Sequence, residues 1–251
     1  MAPELSLALV GGTGLTELDD HLEALEIDTP YGPPSAPVRV ISSDRVRLLF
    51  LPRHGSPHRF PPHCVNYRAN LWALKQAGAD QVLAVSAVGG ITGPYSPGTL
   101  AAPDQLIDYS WGRQHTYSDS EHAPLVHVDF SHPYEGPLRQ ALLRSAVRVG
   151  QDLVDGGCIG VFQGPRLESA AEVEKARRDG CDMAGMTSLP EAGLARELGL
   201  DYAGIAVVSN WGAGVVDHLI SEDDIAETLR EPMARVRAVV QALVETLSSS
   251  D

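Results

Sequence analysis

Between residues 51 and 67 the chain reads LPRHGSPHRFPPHCVNY, with two arginines, three histidines and four prolines in seventeen positions. Arg53 and His54 close an apolar run. A guanidinium offers a planar fork of N–H donors that matches phosphate oxygens, and a histidine can add a second donor. The chemistry these residue types suit is anion binding. No Asp or Glu occurs between Asp44 and Asp80, and six of the 19 Lys and Arg residues fall inside that window, although the formal net charge is −14. A strongly acidic chain that clears one stretch of carboxylates is read as placing an anion there.

A second candidate lies upstream. VGGTGL (10–15) follows an apolar run, as a dinucleotide fingerprint would, but it is neither G-x-G-x-x-G nor a P-loop with its Gly-Lys-Ser/Thr ending. Gly11, Gly12 and Gly14 expose backbone N–H groups and Thr13 offers a hydroxyl, which suits one phosphate; a tight strand-to-helix turn would use the same residues. His58 and His63 read first as surface or structural histidines. The three cysteines, Cys64, Cys158 and Cys181, are dispersed and give neither a disulfide framework nor a metal-ligand spacing.

These residues need elements that bring them together. Strand-like runs are SLALVGG (6–12), VRLLFLP (46–52), QVLAVSAVGG (81–90), GCIGVFQG (157–164) and YAGIAVVSN (202–210), with further strand candidates near 104–109 and 125–130. Helical spacing runs over 64–78 and 135–150, then over SAAEVEKARRDG and PEAGLARELG. Ser221, with Asp224 three residues on, caps a C-terminal helix that Pro232 is expected to kink or restart. The alternation predicts an α/β fold: one domain over residues 1–251, with a mixed β-sheet flanked by helices. Five strand ends carry glycines or polar residues: Gly11–Gly14, Arg53–His54, Ser86–Gly90, Gly164–Glu168 and Asn210. Ligands collect at the carboxyl ends of strands in such sheets, so these five are expected to converge on one pocket.

Composition bounds the partners. With 251 residues, 43% hydrophobic and 21% charged, the chain suits a globular protein with a sizeable core. Its acidity speaks against nucleic acid or an anionic membrane, and leaves room for a small phosphate-bearing ligand that feels the local field. MAPELSLALVGG lacks a positively charged n-region, and no 18-residue apolar run occurs. A soluble, cytoplasmic protein is expected.

Taken together and in order, GGTGL, RHG, VNYRANLWALK, VSAVGG, QGPRLES, GMTSLPEAGLARELGL and AVVSN resemble the purine nucleoside phosphorylase and methylthioadenosine phosphorylase family. The likeness runs from about residue 7 to residue 210 and continues loosely through the last helix. TPYGPPSAP, HRFPPH, QLIDY and DFSHPY are similar to the bacterial branch that cleaves 5′-methylthioinosine. The resemblance implies a mixed-sheet α/β domain assembled as a homotrimer, with inorganic phosphate as co-substrate and neither metal nor organic cofactor. It implies phosphate contacts from Thr13, Arg53, His54, Ser86, the Ala87 backbone and Thr187. Met186 would pack on the ribose, with Trp211 and Gly212 also near the substrate. His127 would reach the 5′ end of a neighbouring subunit's nucleoside.

The resemblance also points to two residues that choose the base. Relatives acting on 6-aminopurines carry aspartates at the positions of Asn210 and Gly212 and a serine at that of Glu168. Glu168 with Asn210 is the 6-oxopurine pair, and hydrogen-bond polarity agrees. The N1–H of hypoxanthine or guanine can donate to the Glu168 carboxylate, whereas adenine N1 would meet it lone pair to lone pair. Asn210 can donate to O6 and accept from N7–H. A buried polar mismatch of this kind discriminates by about ten-thousand-fold or more. Leu167 replaces the phenylalanine often found at the base-stacking position. Glu222 falls near the 5′ pocket, where it reads either as a substrate contact or as a solvated first-turn residue. Ile225 and Leu229 could give that pocket an apolar lining.

The expected function is phosphorolysis of a 6-oxopurine nucleoside, foremost S-methyl-5′-thioinosine, with a general inosine or guanosine phosphorylase as the alternative. Asn210, Glu168 and His54 are the expected catalytic residues. An NAD-dependent oxidoreductase lacks its glycine fingerprint here. A non-enzymatic nucleoside-binding protein would not need Thr13, Arg53, His54 and Thr187 together.

Overall fold

Short buried apolar runs become strands, and runs with helical spacing cover the two faces of the sheet they build. The computed structural model describes residues 5–13, 23–42, 46–119, 124–217 and 219–249. In chain order the strands are β1 (Leu5–Gly11), β2 (Glu23–Leu25), β3 (Val38–Ser42), β4 (Val46–Pro52), β5 (Gln81–Gly90) and β6 (Leu100–Ala102). They continue as β7 (Gln105–Asp108), β8 (Val154–Asp155), β9 (Cys158–Val161), β10 (Met183–Gly185) and β11 (Asp201–Trp211). The helices are α1 (Tyr67–Gln76), α2 (Pro137–Arg148), α3 (Ala170–Arg178), α4 (Ser188–Glu197) and α5 (Glu222–Ser249).

The sheet is mixed, as expected. Its path runs β2-β3-β4-β1-β5-β10-β9-β7, while β11 leaves it to pair with β5 and β6. Strands β1, β4, β5 and β11 are parallel to their neighbours in this group; β10 meets β5 antiparallel. Strand β5 changes partner along its length. Its first half pairs with β1 as far as Ala84, and its end pairs with β10 from Gly89. On that edge no strand pairs with residues 85–88, so the sheet forks there.

Alternation along β11 divides the core. Ala203, Ile205 and Val207 pack with α2 and α5 residues such as Leu138, Leu142, Val236 and Val239, while Tyr202 joins Leu71, Leu74 and Leu194 of α1 and α4 on the other face. Helix α1 starts at Tyr67 rather than near 64. A 3₁₀ turn fills Pro62–Cys64, and the Asn66 side chain caps the helix by accepting from the Ala69 N–H at 3.1 Å.

Two expectations fail. Residues 125–130 are irregular rather than a strand, with Leu125 and Val126 exposed and no pairing to any described strand. Of the two outcomes expected at Pro232, a restart does not occur, because the residue lies inside the continuous α5. Leu229 before the proline and Met233, Val236 and Val239 after it stay in the core, so tertiary packing outweighs the one hydrogen bond proline removes. None of the described helices is long and apolar enough to cross a membrane.

Candidate active site

A cavity of about 310 Å³ opens at the fork in the sheet. Ser86, Ala87 and Val88 line it from the stretch of β5 that pairs with β11 on one edge and with no described strand on the other. All five polar strand ends reach this wall, because parallel strands deliver their carboxyl ends to one side of a sheet. Gly12 and Thr13 arrive from β1, Arg53 and His54 from β4, Glu168 beyond β9, and Asn210 and Gly212 from β11. Met186, Thr187 and Ile225 complete that set. Gly14 lies outside the described residues.

Arg53 is fully buried, and its fork is largely occupied. Nε and Nη2 donate to the two oxygens of Glu191 at 2.6 and 2.9 Å, and Nη1 donates to the Val85 carbonyl at 3.0 Å. Burial opposes the charge, and the Glu191 carboxylate more than offsets that, so the guanidinium stays above its ordinary pKa. Tyr202 donates a further bond to Glu191 at 2.9 Å. The pairing leaves one free N–H on each terminal nitrogen of Arg53. Gly12 must be glycine because a Cβ there would stand 2.7 Å from the Val85 oxygen and 2.8 Å from Arg53 Nη1.

His54 differs from its expected role. Its Nδ1 lies 2.7 Å from the Phe60 carbonyl, which can only accept, so Nδ1 carries the proton. Burial, then the neighbouring Arg53, pushes its pKa down to about 4. The ring is therefore neutral at pH 7 and presents Nε2 as an acceptor, not a second donor. It stacks on His58, with centroids 4.3 Å apart, and His58 also lines the cavity. His63 is exposed and stands outside the lining.

The Ser86 and Thr187 hydroxyls meet at 3.2 Å. Across the cavity, Asn210 is oriented locally: Oδ1 accepts from the Ser209 hydroxyl at 2.7 Å and Nδ2 donates to the Trp211 carbonyl at 2.8 Å. One amide N–H and one Oδ1 lone pair remain for a ligand. Glu168 is the least satisfied residue. Its Oε1 is buried without a hydrogen-bond partner, and burial raises its pKa.

Two residues with structural hold on the site have no clear sequence signal. Glu191 is completely buried in α4, a carboxylate within the small-residue stretch LPEAGLA. Arg113 lies in an irregular segment without periodicity, yet all five of its N–H groups are used. Nη1 donates to the carbonyls of Met186 (2.8 Å) and Leu189 (2.7 Å), Nη2 to those of Phe162 (3.0 Å) and Gln163 (2.8 Å), and Nε to Gln163 Oε1 (3.2 Å).

Three candidates stand apart. His127 is exposed and does not line the cavity of its own chain. Trp211 faces a separate cavity of about 230 Å³ on the far side of Asn210. The Glu222 side chain lies outside the described residues. No group of three or more His, Cys, Asp or Glu that could hold a metal occurs among the described residues.

Fold and cavity together define a class of protein: a mixed α/β sheet whose strand ends gather Thr13, Arg53, His54, Ser86 and Thr187 with Glu168 and Asn210 around one cavity. Residues 6–245 match the phosphorylase superfamily, and the chain belongs to it. Among its relatives, the probable S-methyl-5′-thioinosine phosphorylase of Xanthomonas campestris pathovar campestris is 52% identical over 90% of each chain. The 6-oxopurine nucleoside phosphorylase of Pyrococcus furiosus is 36% identical over 95% of this chain and 91% of its own. The solved structure of methylthioadenosine phosphorylase from Schistosoma mansoni in complex with adenine superposes with a TM-score of 0.91 at 29% identity, covering 99% of this chain and 93% of that one.

Proposed function

We propose that the protein phosphorolyses a 6-oxopurine nucleoside, foremost S-methyl-5′-thioinosine, to hypoxanthine and 5-methylthioribose 1-phosphate. The observation that carries this reading is Glu168, whose buried Oε1 lacks a donor in the cavity that Asn210 also enters. The N1–H of a 6-oxopurine supplies that donor and offsets the burial cost of the carboxylate; adenine N1 cannot.

Phosphate sits against Thr13, Ser86, Thr187 and the Ala87 backbone. Neutral His54 accepts a hydrogen bond from the P–OH of monohydrogen phosphate at Nε2, turning the anionic oxygens towards the sugar. Arg53 adds its two free N–H groups, its charge already balanced by Glu191. The glycosidic bond breaks with its electron pair passing to the purine, and Asn210 stabilises the charge gathering at N7. A phosphate oxygen then forms the new bond to C1′ of the oxocarbenium-like sugar, and the proton of monohydrogen phosphate passes through water to the purine anion, giving hypoxanthine and the sugar 1-phosphate. Positioning and preorganised electrostatics account for each step, with no metal or organic cofactor invoked. Ile225 gives the 5′ end an apolar contact suited to a methylthio group. The active form is a cytoplasmic homotrimer in which His127 reaches a neighbour's 5′ end.

The test compares S-methyl-5′-thioinosine, inosine and S-methyl-5′-thioadenosine, each with and without phosphate. The expected result is phosphate-dependent turnover, fastest with methylthioinosine, yielding the sugar 1-phosphate. Equal turnover in phosphate-free buffer with free sugar as product would replace the phosphorylase by a nucleosidase.

A further inference from the structure

The sequence directs attention to Arg53 as counter-charge for the anion, but Glu191 already neutralises it through two hydrogen bonds. Arg113 has no such partner. All its donors go to carbonyls and one amide, no carboxylate hydrogen-bonds to it, and Asp108 acts on it only at a distance. Its guanidinium packs 5.8 Å from the centroid of the Tyr67 ring. It does not line the cavity; Met186, whose carbonyl it holds, and the next residue, Thr187, do.

We infer that Arg113 is a positioning residue for the phosphate, acting through the Met186–Thr187 peptide; this rests on the phosphorylase reading above. In a trans peptide the carbonyl of one residue and the N–H of the next point in opposite directions. The Met186 carbonyl is held on Arg113, so the Thr187 N–H points away from Arg113. That N–H belongs to a residue whose side chain meets Ser86 across the phosphate half of the cavity. The cation at the carbonyl end also polarises the peptide, which strengthens the N–H as an anion donor. Arg113 thus lends positive charge to the anion site without touching it. The same guanidinium joins the chain leaving β9, which leads to Glu168, to the turn after β10, so the two halves of the cavity share one support.

The experiment uses the full chain with Arg113→Lys, Arg113→Gln and Arg113→Ala, and methylthioinosine and inorganic phosphate as substrates. The expected outcome is an apparent phosphate KM raised about tenfold or more in each variant, with the preference for methylthioinosine over methylthioadenosine unchanged. Added guanidinium ion should lower the phosphate KM of Arg113→Ala. A folded variant with a phosphate KM within about twofold of wild type overturns the inference. So does an equal loss towards both substrates without guanidinium rescue, which marks a purely structural residue. If the variants do not fold, the wild-type Thr187 amide resonance decides: it should move downfield on titration with inorganic phosphate, and an unmoved resonance at saturation overturns the inference. Absence of phosphate-dependent turnover in the wild type would instead sink the functional reading itself.

Discussion

At the scale of single residues, the site works by pairing groups so that each has a defined donor or acceptor left over. His54 illustrates the energetic side. Its folded pKa of about 4 lies below the ordinary histidine value near 6.5, so the unfolded chain takes up a proton that the folded ring refuses. Stability from this group is complete above about pH 6.5, falls as pH drops to 4, and levels off below; the loss is about 3 kcal/mol. Comparing urea midpoints of wild type and His54→Gln from pH 7 to 4 should show the smaller decline in the variant. Parallel declines would mean the ring is not held neutral. Base choice belongs to the same scale. Asn210→Asp should reduce methylthioinosine kcat/KM strongly and gain little with methylthioadenosine, because Glu168 still opposes adenine N1. Adding Glu168→Ser should shift preference by more than the sum of the single effects. Two single variants with unaltered base preference would remove both residues from base reading.

At the scale of elements, close approach matters more than chain flexibility. The turn after β1 fits over Arg53 only because Gly12 lacks a side chain. Gly12→Ala should cost about 1–3 kcal/mol by overpacking against the Val85 carbonyl and Arg53, and should impair phosphate use, as read by thermal unfolding and phosphate KM. What the sequence made legible follows the same physics. Strands β4 and β5 were readable to the residue because largely apolar runs end at Pro52 and in Gly89–Gly90. Strands such as β2, β6 and β10 span three residues each, too few for any periodicity to register. The run 125–130 looks like a strand in isolation, but a strand exists only where a neighbour offers a ladder. The cavity wall was legible because its glycines and polar residues punctuate strand ends. Arg113 and Glu191 were not, since nothing local reveals which carbonyl or guanidinium will lie opposite them in space.

At the scale of the whole molecule, the exposed surface is unfinished. Trp111 is 71% exposed, Leu125 72% and Val126 51%, and His127 follows directly in the chain. Apolar groups at this exposure favour contact with another surface. A homotrimer in which this segment meets the next subunit would bury them and deliver His127 to a neighbouring cavity. Sedimentation velocity should give a trimer, and Leu125→Asp with Val126→Asp should yield slower-sedimenting species with weakened activity. A fully active monomer would remove the trans role of His127.

The fork in the sheet bears on how ligand binding is felt by the fold. Where β1 and β10 part from β5, residues 85–88 keep their ladder to β11, but no described strand pairs with their other edge. On the phosphorolysis reading proposed above, a bound anion would cover that edge from outside and act as a staple of the fold. Amide hydrogen exchange at Ser86–Val88 should therefore slow markedly in phosphate while exchange in the β1–β4 ladder stays unchanged, and a binding event would be recorded as local stiffening at the heart of the sheet.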